Sequence, residues 1–401
     1  MIEALFYAYW ILMPFYFRDS GNMQISHSIL ALAFVLFFAI RASKNINLFS
    51  KIDIKLVFFV VFVFAINSLY FLLFRQDPFF LRSSMFYLFN LLLVVLFREL
   101  VSKKKNFTKN LFFLCRFNLI VQTAIYFWGR ETILGMNIWW GGRVGLRYIG
   151  TLNDPNQFGL FILFTFMIMN VISVSNKYNV KLKIIDYAMV TFLVFQSASF
   201  GMFLGTSTLM ATALFFQVPK RKLPLIFGSI AIGAVVTIFV FNINVYESFM
   251  LERIEQRFED STLYETFISF FEDRALDRIY LYPQYFIFGS GEGAHDRFFY
   301  RPAEMHSTIL SLAFYYGIIP FVILLSWVRD NIRGLNIKEL PIILSMFAAS
   351  FTILAQRQPF IWLILVLICS NRNEQVSTIW EVNNEVNDSD KLLSQGSVQR
   401  I

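Results

Sequence analysis

Long apolar runs recur along the whole of this 401-residue chain, and they restrict its fold more than any other feature. Their lengths approach the roughly 17–25 residues that an α-helix needs to cross a bilayer. Charged residues make up only 15% of the chain, against roughly 25% in soluble domains, so they are too few to cover a water-facing surface. The sequence therefore predicts a polytopic membrane protein.

The apolar segments predict an all-α protein with about twelve transmembrane helices. They cover residues 2–17, 25–40, 54–74, 79–97, 111–128, 157–174, 184–197, 199–218, 223–241, 306–328, 339–354 and 358–370. Whether 184–218 forms one helix or two stays open. The expected organisation is helices 1–5 (1–128), a first long loop (129–156), helices 6–9 (157–241), a large loop (242–305), helices 10–12 (306–370) and a polar, disordered tail (371–401).

Positive charges assign the two sides of the membrane. Three to five Lys or Arg residues lie in each of the segments 41–55, 98–110, 176–183, 220–222 and 329–338. Twelve helices place all five segments on one side, which the excess of positive charge identifies as the cytoplasm. Both termini are then cytoplasmic, and both long loops lie outside. The net charge of +8 is spread over these loops, so we expect no nucleic-acid partner.

Lysine and arginine are divided unequally between the two sides. All 14 lysines lie in segments assigned to the cytoplasm, whereas the outer segments hold 13 arginines and no lysine. The positive-inside bias of membrane insertion depends on lysine and arginine alike, so it does not explain why arginine remains outside. The planar guanidinium group binds phosphate through two hydrogen bonds and stays charged. The pattern indicates a phosphate-bearing substrate on the outer face.

The segment RYIGTLNDPNQFGLFIL (147–163) begins as a polar loop and ends inside a predicted helix. Polar groups at such a position are costly to desolvate unless they bind something. The candidate binding residues in and just before this segment are Arg143, Arg147, Asn153, Asp154 and Asn156.

The large loop mixes 12 acidic residues with six arginines. Segments 246–259 and 264–282 have helical apolar spacing, which predicts amphipathic helices on the outer membrane surface or over the bundle. Two pairs of arginines share a helix face at i, i+4, and they either pair with neighbouring acidic residues or face a substrate. The first pair is Arg253 and Arg257, and the second is Arg274 and Arg278.

The segment GSGEG (289–293) predicts a turn and, with no strand before it, does not indicate a dinucleotide site. Glu304 and His306 follow it where the chain re-enters the membrane, as Asp154 does in the first long loop. We expect these two polar clusters to face each other across one cavity. A structural role for His306 is the alternative.

Together these motifs resemble the Wzy-type O-antigen polymerase and O-antigen ligase family. The family's R-x-x-G…P-N signature resembles the segment RYIGTLNDPNQFG. Its arginine followed by a G-x-G turn resembles DRALDRIYLYPQYFIFGSGEG, and its H-N-x-x-L…G-I motif resembles EMHSTILSLAFYYGIIPF. The resemblance covers about residues 143–325. It depends on the order, side and spacing of the motifs, since each of them is short.

Two departures from the family pattern bear on the choice between polymerase and ligase. The S-R-G element reads Ser199-Phe200-Gly201 here, so an arginine often found in ligases is absent. The His-Asn pair reads His306-Ser307. The first departure and the D-P-N form of the first motif favour a polymerase.

The resemblance implies metal-independent, inverting glycosyl transfer on a GT-C-like scaffold at the periplasmic face of the bacterial inner membrane. Donor and acceptor would be undecaprenyl-diphosphate-linked oligosaccharides in the membrane lipid, with a flippase and a chain-length regulator as partners and no cofactor. Arginines would stabilise the diphosphate leaving group. The matching positions are Arg147 and Arg278, and the further substrate-binding arginines are Arg143, Arg274, Arg253, Arg257 and Arg301.

The same resemblance places the other expected roles at the two helix mouths. His306 is suited to accept the proton of the attacking hydroxyl, with Glu304 and Asp154 as alternative bases. The amides of Asn153 and Asn156 are expected to bind sugar hydroxyls.

Other chemistries find little support in the sequence. The only Asp-x-Asp, which nucleotide-sugar transferases often use to bind a metal, is Asp388-Ser389-Asp390 in the polar tail, so we expect no metal. A transporter or lipid flippase usually carries ionisable groups at mid-bilayer, whereas Arg116 is the one clear charge within a predicted span. A non-catalytic assembly protein is the remaining alternative.

Overall fold

The structure of the chain, a computed structural model, describes residues 1–18, 23–74, 76–104, 106–142, 145–175, 179–219, 221, 271–272, 274–298 and 303–371. These residues are mostly helical. The helices of the first half are α1 (Ile2–Leu12), α2 (Ile25–Ser43), α3 (Asp53–Leu73), α4 (Phe79–Lys103), α5 (Phe107–Trp128), α6 (Pro155–Val174), α7 (Ile184–Ser197) and α8 (Phe200–Gln217). Those of the second half are α9 (Arg278–Leu281), α10 (Gln284–Phe288), α11 (Thr308–Tyr316), α12 (Ile318–Ile332), α13 (Leu340–Thr352) and α14 (Phe360–Asn371). The predicted helices at 223–241 and 246–259 and nearly all of the predicted tail lie outside the described residues.

Within the described part of the chain, six helices are long and apolar enough to cross a membrane: α2, α3, α4, α5, α6 and α8. In α6, 83% of the most apolar window is buried, whereas in α2 and α3 the share is 28%. Large apolar side chains such as Val35, Phe58 and Val61 are therefore exposed. A central apolar helix surrounded by helices with exposed apolar faces fits a membrane protein.

The start of α6 explains the abrupt change from polar to apolar residues in this part of the chain. Pro155 occupies the first helical position, where a backbone N–H has no intrahelical partner. Asp154 is the N-cap, and its carboxylate accepts hydrogen bonds from the N–H groups of Asn156 and Gln157 at 2.8 and 3.0 Å. Asp154 thus has a structural role at the helix mouth.

Two of the apolar segments are interrupted. Segment 184–218 forms two helices, because Ala198 takes a left-handed conformation with φ of 47° between α7 and α8. The prediction of one helix at 306–328 is wrong, since Gly317, with φ of 75°, separates α11 from α12. A Cβ at Gly317 would lie 2.5 Å from the carbonyl oxygen of Ile287, so the end of α10 packs directly against this break.

The first long loop contains two antiparallel hairpins, which the prediction of an all-α fold left out. Leu134 and Gly135 both have positive φ, of 51° and 79°, as the two-residue turn of a tight hairpin requires. Strands this short carry no usable apolar periodicity. The paired strands are β1 (Thr132–Ile133) with β2 (Met136–Asn137), and β3 (Trp139–Gly142) with β4 (Gly145–Tyr148).

The predicted amphipathic helix at 264–282 is interrupted in its described part. Residues 274–277 form a turn in which Ala275 has φ of 52°, and α9 begins only at Arg278. Arg274 and Arg278 therefore do not share the face of one continuous helix.

Ion pairs join the helices at the lysine-bearing end of the bundle. Arg98 donates to the two carboxylate oxygens of Asp53 through Nε and Nη2, at 2.8 and 2.9 Å, which links α4 to α3. Arg41 pairs with Glu99, which links α2 to α4. The ends of three apolar helices are thereby held together.

Replacement of Gly317 by alanine tests the break between α11 and α12. The new Cβ would meet the backbone of the α10 end, and φ lies in the left-handed region, so we expect the free energy of unfolding to fall by at least about 1–3 kcal/mol. Gly141→Ala is the control, because nothing lies within 4 Å of its Cβ position. Unfolding in detergent measures the stability of both variants. Equal stability would contradict the packing of the α10 end against the break at Gly317.

Candidate functional site

Loops from distant parts of the chain converge at the end of the bundle opposite to the lysines. The N–H of Tyr16 donates to the carbonyl of Thr151 at 2.9 Å, which joins the segment after α1 to the first long loop. The N–H of Thr308 donates to the carbonyl of Ile353, also at 2.9 Å, which joins the start of α11 to the segment after α13. Segments that the sequence assigns to the outside thus form one surface.

The GSGEG segment is buried beneath this surface and is more than a turn. A Cβ at Gly291 would lie 2.9 Å from the ring of Phe80, so α4 leaves no room for a side chain there. The N–H of Gly291 donates to the carbonyl of Tyr315 at 2.8 Å, which satisfies a carbonyl at the C-terminal end of α11. The close approach carries the side chain of Glu292 into the bundle.

Glu292 forms a buried ion pair with Arg357, which lies between α13 and α14. Nε and Nη2 of the guanidinium group donate to Oε1 of the carboxylate at 3.0 and 2.7 Å. The hydroxyl of Tyr316 donates to Oε2 at 2.6 Å, and the amide of Gln356 donates to Oε1 at 3.3 Å. The carboxylate is 0% exposed, and these donors compensate for its loss of water.

Polar side chains of α3 and α4 hold the backbone on both sides of the ion pair. Asn67 accepts a hydrogen bond from the N–H of Glu292 at 2.8 Å, and Ser83 donates to the carbonyl of Glu292 at 3.0 Å. Asn90 donates to the carbonyl of Arg357 at 3.1 Å. Irregular backbone is tolerated inside a membrane helix bundle where such partners replace water.

Glu304 is a second carboxylate beside Arg357. Both of its oxygens lie 3.4 Å from Nη1 of Arg357, and one lies 3.8 Å from Nε2 of His295. The side chain of Glu304 is 28% exposed, whereas that of Glu292 is fully buried. Glu304 is therefore the carboxylate that a ligand can reach.

His295 lies among three arginines and is uncharged at neutral pH. Burial, followed by the positive charges of Arg278, Arg357 and Arg297, lowers the pKa of His295 to about 3. Its side chain is 13% exposed. The three guanidinium groups thus act on one small region, where Glu292 and Glu304 are paired with Arg357.

Two of these arginines lie against one aromatic ring. The guanidinium carbons of Arg278 and Arg297 are 4.2 and 4.7 Å from the centroid of Phe298. Arg278 donates to the carbonyl of Ala303, and Arg297 donates to the carbonyl of Ser290. Cation–π contacts and carbonyl groups therefore fix both positive charges in position.

His306 lies at the edge of this cluster with its side chain exposed. Its N–H donates to the carbonyl of Arg274 at 2.9 Å. Partial desolvation lowers the pKa of His306, while the charges of Glu304 and Asp154 oppose that shift. Since the charge of Asp154 influences the pKa of His306, the two polar clusters expected at the helix mouths lie near each other.

Arg147 makes local contacts at the C-terminal end of α7. Its Nε donates to the carbonyl of Ser197 at 2.9 Å, and its Nη2 donates to the carbonyl of Ala198 at 3.2 Å. The side chain is 6% exposed and lies over Trp140. These contacts join β4 to the break between α7 and α8, and the expected role of Arg147 at a diphosphate stays a prediction.

The two asparagines of the first cluster differ in their accessibility. The amide of Asn153 donates to the carbonyl of Arg18 at 2.9 Å. Asn156 accepts a hydrogen bond from the hydroxyl of Ser199 at 2.9 Å, but the residue remains exposed. Asn156 is the better placed of the two to meet a sugar. The other expected substrate-binding residues, Arg143, Arg253, Arg257 and Arg301, lie outside the described residues.

Sequence reasoning missed four residues of the central cluster: Glu292, His295, Arg297 and Arg357. A signal was present for two of them. Arg357 stands between two apolar segments, where an unpaired charge is costly, and Glu292 stands between glycines that allow the backbone to approach a helix closely. Neither residue indicates its partner 65 positions away.

No protein-family model matches the chain, and no curated protein matches it significantly. Within the described ranges, no group of three or more His, Cys, Asp or Glu side chains is arranged to hold a metal ion. An assignment of function therefore depends on the sequence motifs and on the geometry of this cluster.

A double-mutant cycle tests the ion pair of Glu292 and Arg357. Glu292→Gln or Arg357→Met alone leaves a buried charge without its main partner, so we expect each to lower the free energy of unfolding by about 3–5 kcal/mol. The double variant removes both charges and is expected to lose at least about 1 kcal/mol less than the sum. Lys103→Gln, at an exposed ion pair with Glu99, is the control and should change stability by less than about 1 kcal/mol. Additive losses would contradict the pairing.

The pKa of His295 predicts a pH dependence of stability. The unfolded chain binds a proton at His295 near pH 6.5, whereas the folded protein does so only near pH 3. The free energy of unfolding therefore falls as the pH drops through this window, by about 2 kcal/mol at pH 5 for this one group. His295→Gln removes that contribution, so its stability should change less than that of the wild type between pH 7.5 and pH 5. Equal changes in both proteins would mean that His295 titrates normally when folded.

Proposed function

We propose that the chain is a Wzy-type O-antigen polymerase, or a polymerase of a related surface polysaccharide. It joins lipid-linked oligosaccharide repeat units by metal-independent, inverting glycosyl transfer. The observation that carries the proposal is the convergence of Arg278, Arg297 and Arg357 on one region, next to Glu304 and His306. Two of these residues, Arg278 and His306, lie in motifs that resemble the family.

The cluster suits the departure of a diphosphate. Negative charge accumulates on undecaprenyl diphosphate as the glycosidic bond breaks, and fixed guanidinium groups stabilise it without reorganising. Arg278 is 1% exposed and held by Phe298, so its charge is preorganised in a largely dry environment. A single donor of this kind contributes about 3–4 kcal/mol to the transition state, or roughly a hundredfold or more in rate.

The acceptor hydroxyl needs a proton acceptor beside the diphosphate site. His306 is exposed, and partial desolvation lowers its pKa, so the imidazole is neutral at pH 7. A neutral imidazole is the form that accepts a proton. In the proposed reaction, His306 removes the proton as the hydroxyl attacks the anomeric carbon.

The proposal extends to the topology and the partners. Twelve spans in a GT-C-like arrangement place both termini in the cytoplasm and the cluster at the periplasmic face of the bacterial inner membrane. The support for this is the convergence of the lysine-free loops at one end of the bundle. A flippase would deliver the lipid-linked units, and a chain-length regulator would limit the product.

An O-antigen ligase, which transfers the glycan to lipid A core, remains the alternative within the class. The same arginines would bind the same diphosphate, and only the acceptor differs. A transporter is less favoured by the placement of charge. Arg116, the charge inside a predicted span, donates to Asp186 in the first turn of α7 at 2.8 and 2.6 Å, close to a helix end.

Complementation of cells that lack the gene tests the proposal. Wild type, Arg278→Lys, His306→Ala and the control Arg329→Lys are expressed, and lipopolysaccharide is resolved by gel. Arg278→Lys keeps the charge but loses the planar fork, and Arg329 is exposed at the other end of the bundle. We expect the ladder to collapse to core plus one repeat unit in the first two variants and to persist in the control.

The other outcomes separate the alternatives, once equal insertion of each variant has been verified. Loss of all sugar beyond the core, with long lipid-linked polymer accumulating, indicates a ligase. An unchanged ladder in every variant contradicts the site and favours transport.

A further inference from the structure

We propose that the hairpin of β1 and β2 docks on the membrane and inserts its tip, Leu134, among the headgroups of membrane phospholipids. The hairpin follows α5 in the first long loop, outside the predicted spans and at the same end of the bundle as the candidate site. The proposal concerns the surface of this loop and does not depend on the reaction assigned to the site.

The tip of the hairpin holds a residue that its backbone conformation does not favour. Leu134 and Gly135 are the two turn residues, with φ of 51° and 79°. Turns of this kind favour Asn, Asp or Gly at the first position, because an ordinary side chain is strained at positive φ. The side chain of Leu134 is 73% exposed, so no packing within the described part of the chain compensates for this strain. Transfer of the side chain from water into lipid would compensate for it.

The second hairpin fixes the depth of the loop. The ring centroids of Trp139 in β3 and Tyr148 in β4 lie 5.7 and 5.0 Å from that of Tyr126 in α5. With its 22 residues, α5 is about 33 Å long, so its ends lie at the borders of a hydrocarbon core that is about 30 Å thick. Tyr126 is about 3 Å from the end of α5, and the headgroup region is about 5–8 Å thick on each side. Strands packed against Tyr126 therefore lie within the headgroup region.

The helix before the hairpin supplies a surface that faces lipid. The exposed side chains of Phe113, Phe117, Ile120 and Phe127 share one face of α5. Since α5 is long and apolar enough to cross a membrane, this face meets lipid. Trp128, at the end of α5, is also exposed, so exposed apolar side chains continue to the start of the hairpin loop.

The composition of the hairpins is typical of a membrane interface. Residues 132–142 read TILGMNIWWGG and hold no charged side chain, although they lie in a loop. Three of the seven tryptophans of the chain lie between residues 128 and 140. The guanidinium carbon of Arg130 lies 5.7 Å from the ring centroid of Trp128, and both side chains favour the depth of the headgroups. Depth, composition and the lipid-facing side of α5 together favour phospholipid over a second protein as the occupant.

Fluorescence of a label at the tip tests the proposal in the whole chain. The native Cys115 and Cys369 are 0% exposed, so a thiol-reactive, environment-sensitive dye labels Leu134→Cys selectively. The protein is reconstituted into phosphatidylcholine nanodiscs that contain a lipid spin-labelled near its headgroup or near its chain end, and aqueous iodide is the quencher in water. Asn137→Cys, at an exposed polar position of the same hairpin, and Phe117→Cys, midway along the lipid-facing side of α5, are the controls.

We expect the lipid labelled near its headgroup to quench the dye at Leu134 strongly, and iodide to lose most of its effect there. The dye at Asn137 should be quenched mainly by iodide, and the dye at Phe117 mainly by the lipid labelled near its chain end. Equal iodide quenching at Leu134 and Asn137 overturns the proposal, because the tip then lies in water. Protection of the dye at Leu134 from all three quenchers also overturns it, because protein then covers the tip.

Discussion

The buried carboxylate of Glu292 is the constraint on which the arrangement of the outer loops depends. A charge at 0% exposure inside a helix bundle requires a guanidinium partner, and Arg357 reaches it only because the chain between α13 and α14 is irregular and enters the bundle. The carboxylate itself reaches that depth because Gly291 packs against α4 without a side chain. Such a pair contributes little net stability compared with apolar packing, but breaking it is costly, so it specifies the geometry of the loops. Glu304 and the arginines at His295 are positioned by those loops.

Apolar runs predicted the helices well and predicted their interruptions poorly. Hydropathy reports which residues avoid water, and it located eleven segments that the structure describes as helical. It carries no information on close backbone contacts, so the break at Gly317, caused by the packing of the α10 end, was not foreseen.

The same limit applies to the candidate site. Arg278, Glu304 and His306 were expected from their motifs, and the structure brings them into one region. The pairing of Glu292 with Arg357 was missed, because the two residues are joined only by the folded chain. The left-handed Ala275, which separates Arg274 from Arg278, also has no signal in the apolar pattern.

Carboxylates pair with arginines at both ends of the bundle, and at the outer end aromatic rings hold arginines as well. At the lysine-bearing end, arginines pair with carboxylates, as Arg98 does with Asp53. At the other end, Arg278 and Arg297 lie against the ring of Phe298. Guanidinium groups are weakly hydrated and planar, so they tolerate aromatic faces that a lysine ammonium group would leave for water. The aromatic rings at the outer end are therefore physically consistent with the presence of arginine and the absence of lysine in the outer segments.

The three candidate proton acceptors in the cluster are not equivalent. His295 has a pKa of about 3, because burial and three arginines disfavour its protonated form, so it is too weak a base for a hydroxyl. Both carboxylate oxygens of Glu304 lie 3.4 Å from Nη1 of Arg357. This contact favours a role for Glu304 in binding that guanidinium group and a substrate hydroxyl. His306 is exposed, and partial desolvation lowers its pKa although the charges of Glu304 and Asp154 oppose that shift. A base in the proposed reaction must be unprotonated at pH 7 and open to the acceptor hydroxyl. His306 is the most exposed of the three residues, so it is the best placed to accept the proton.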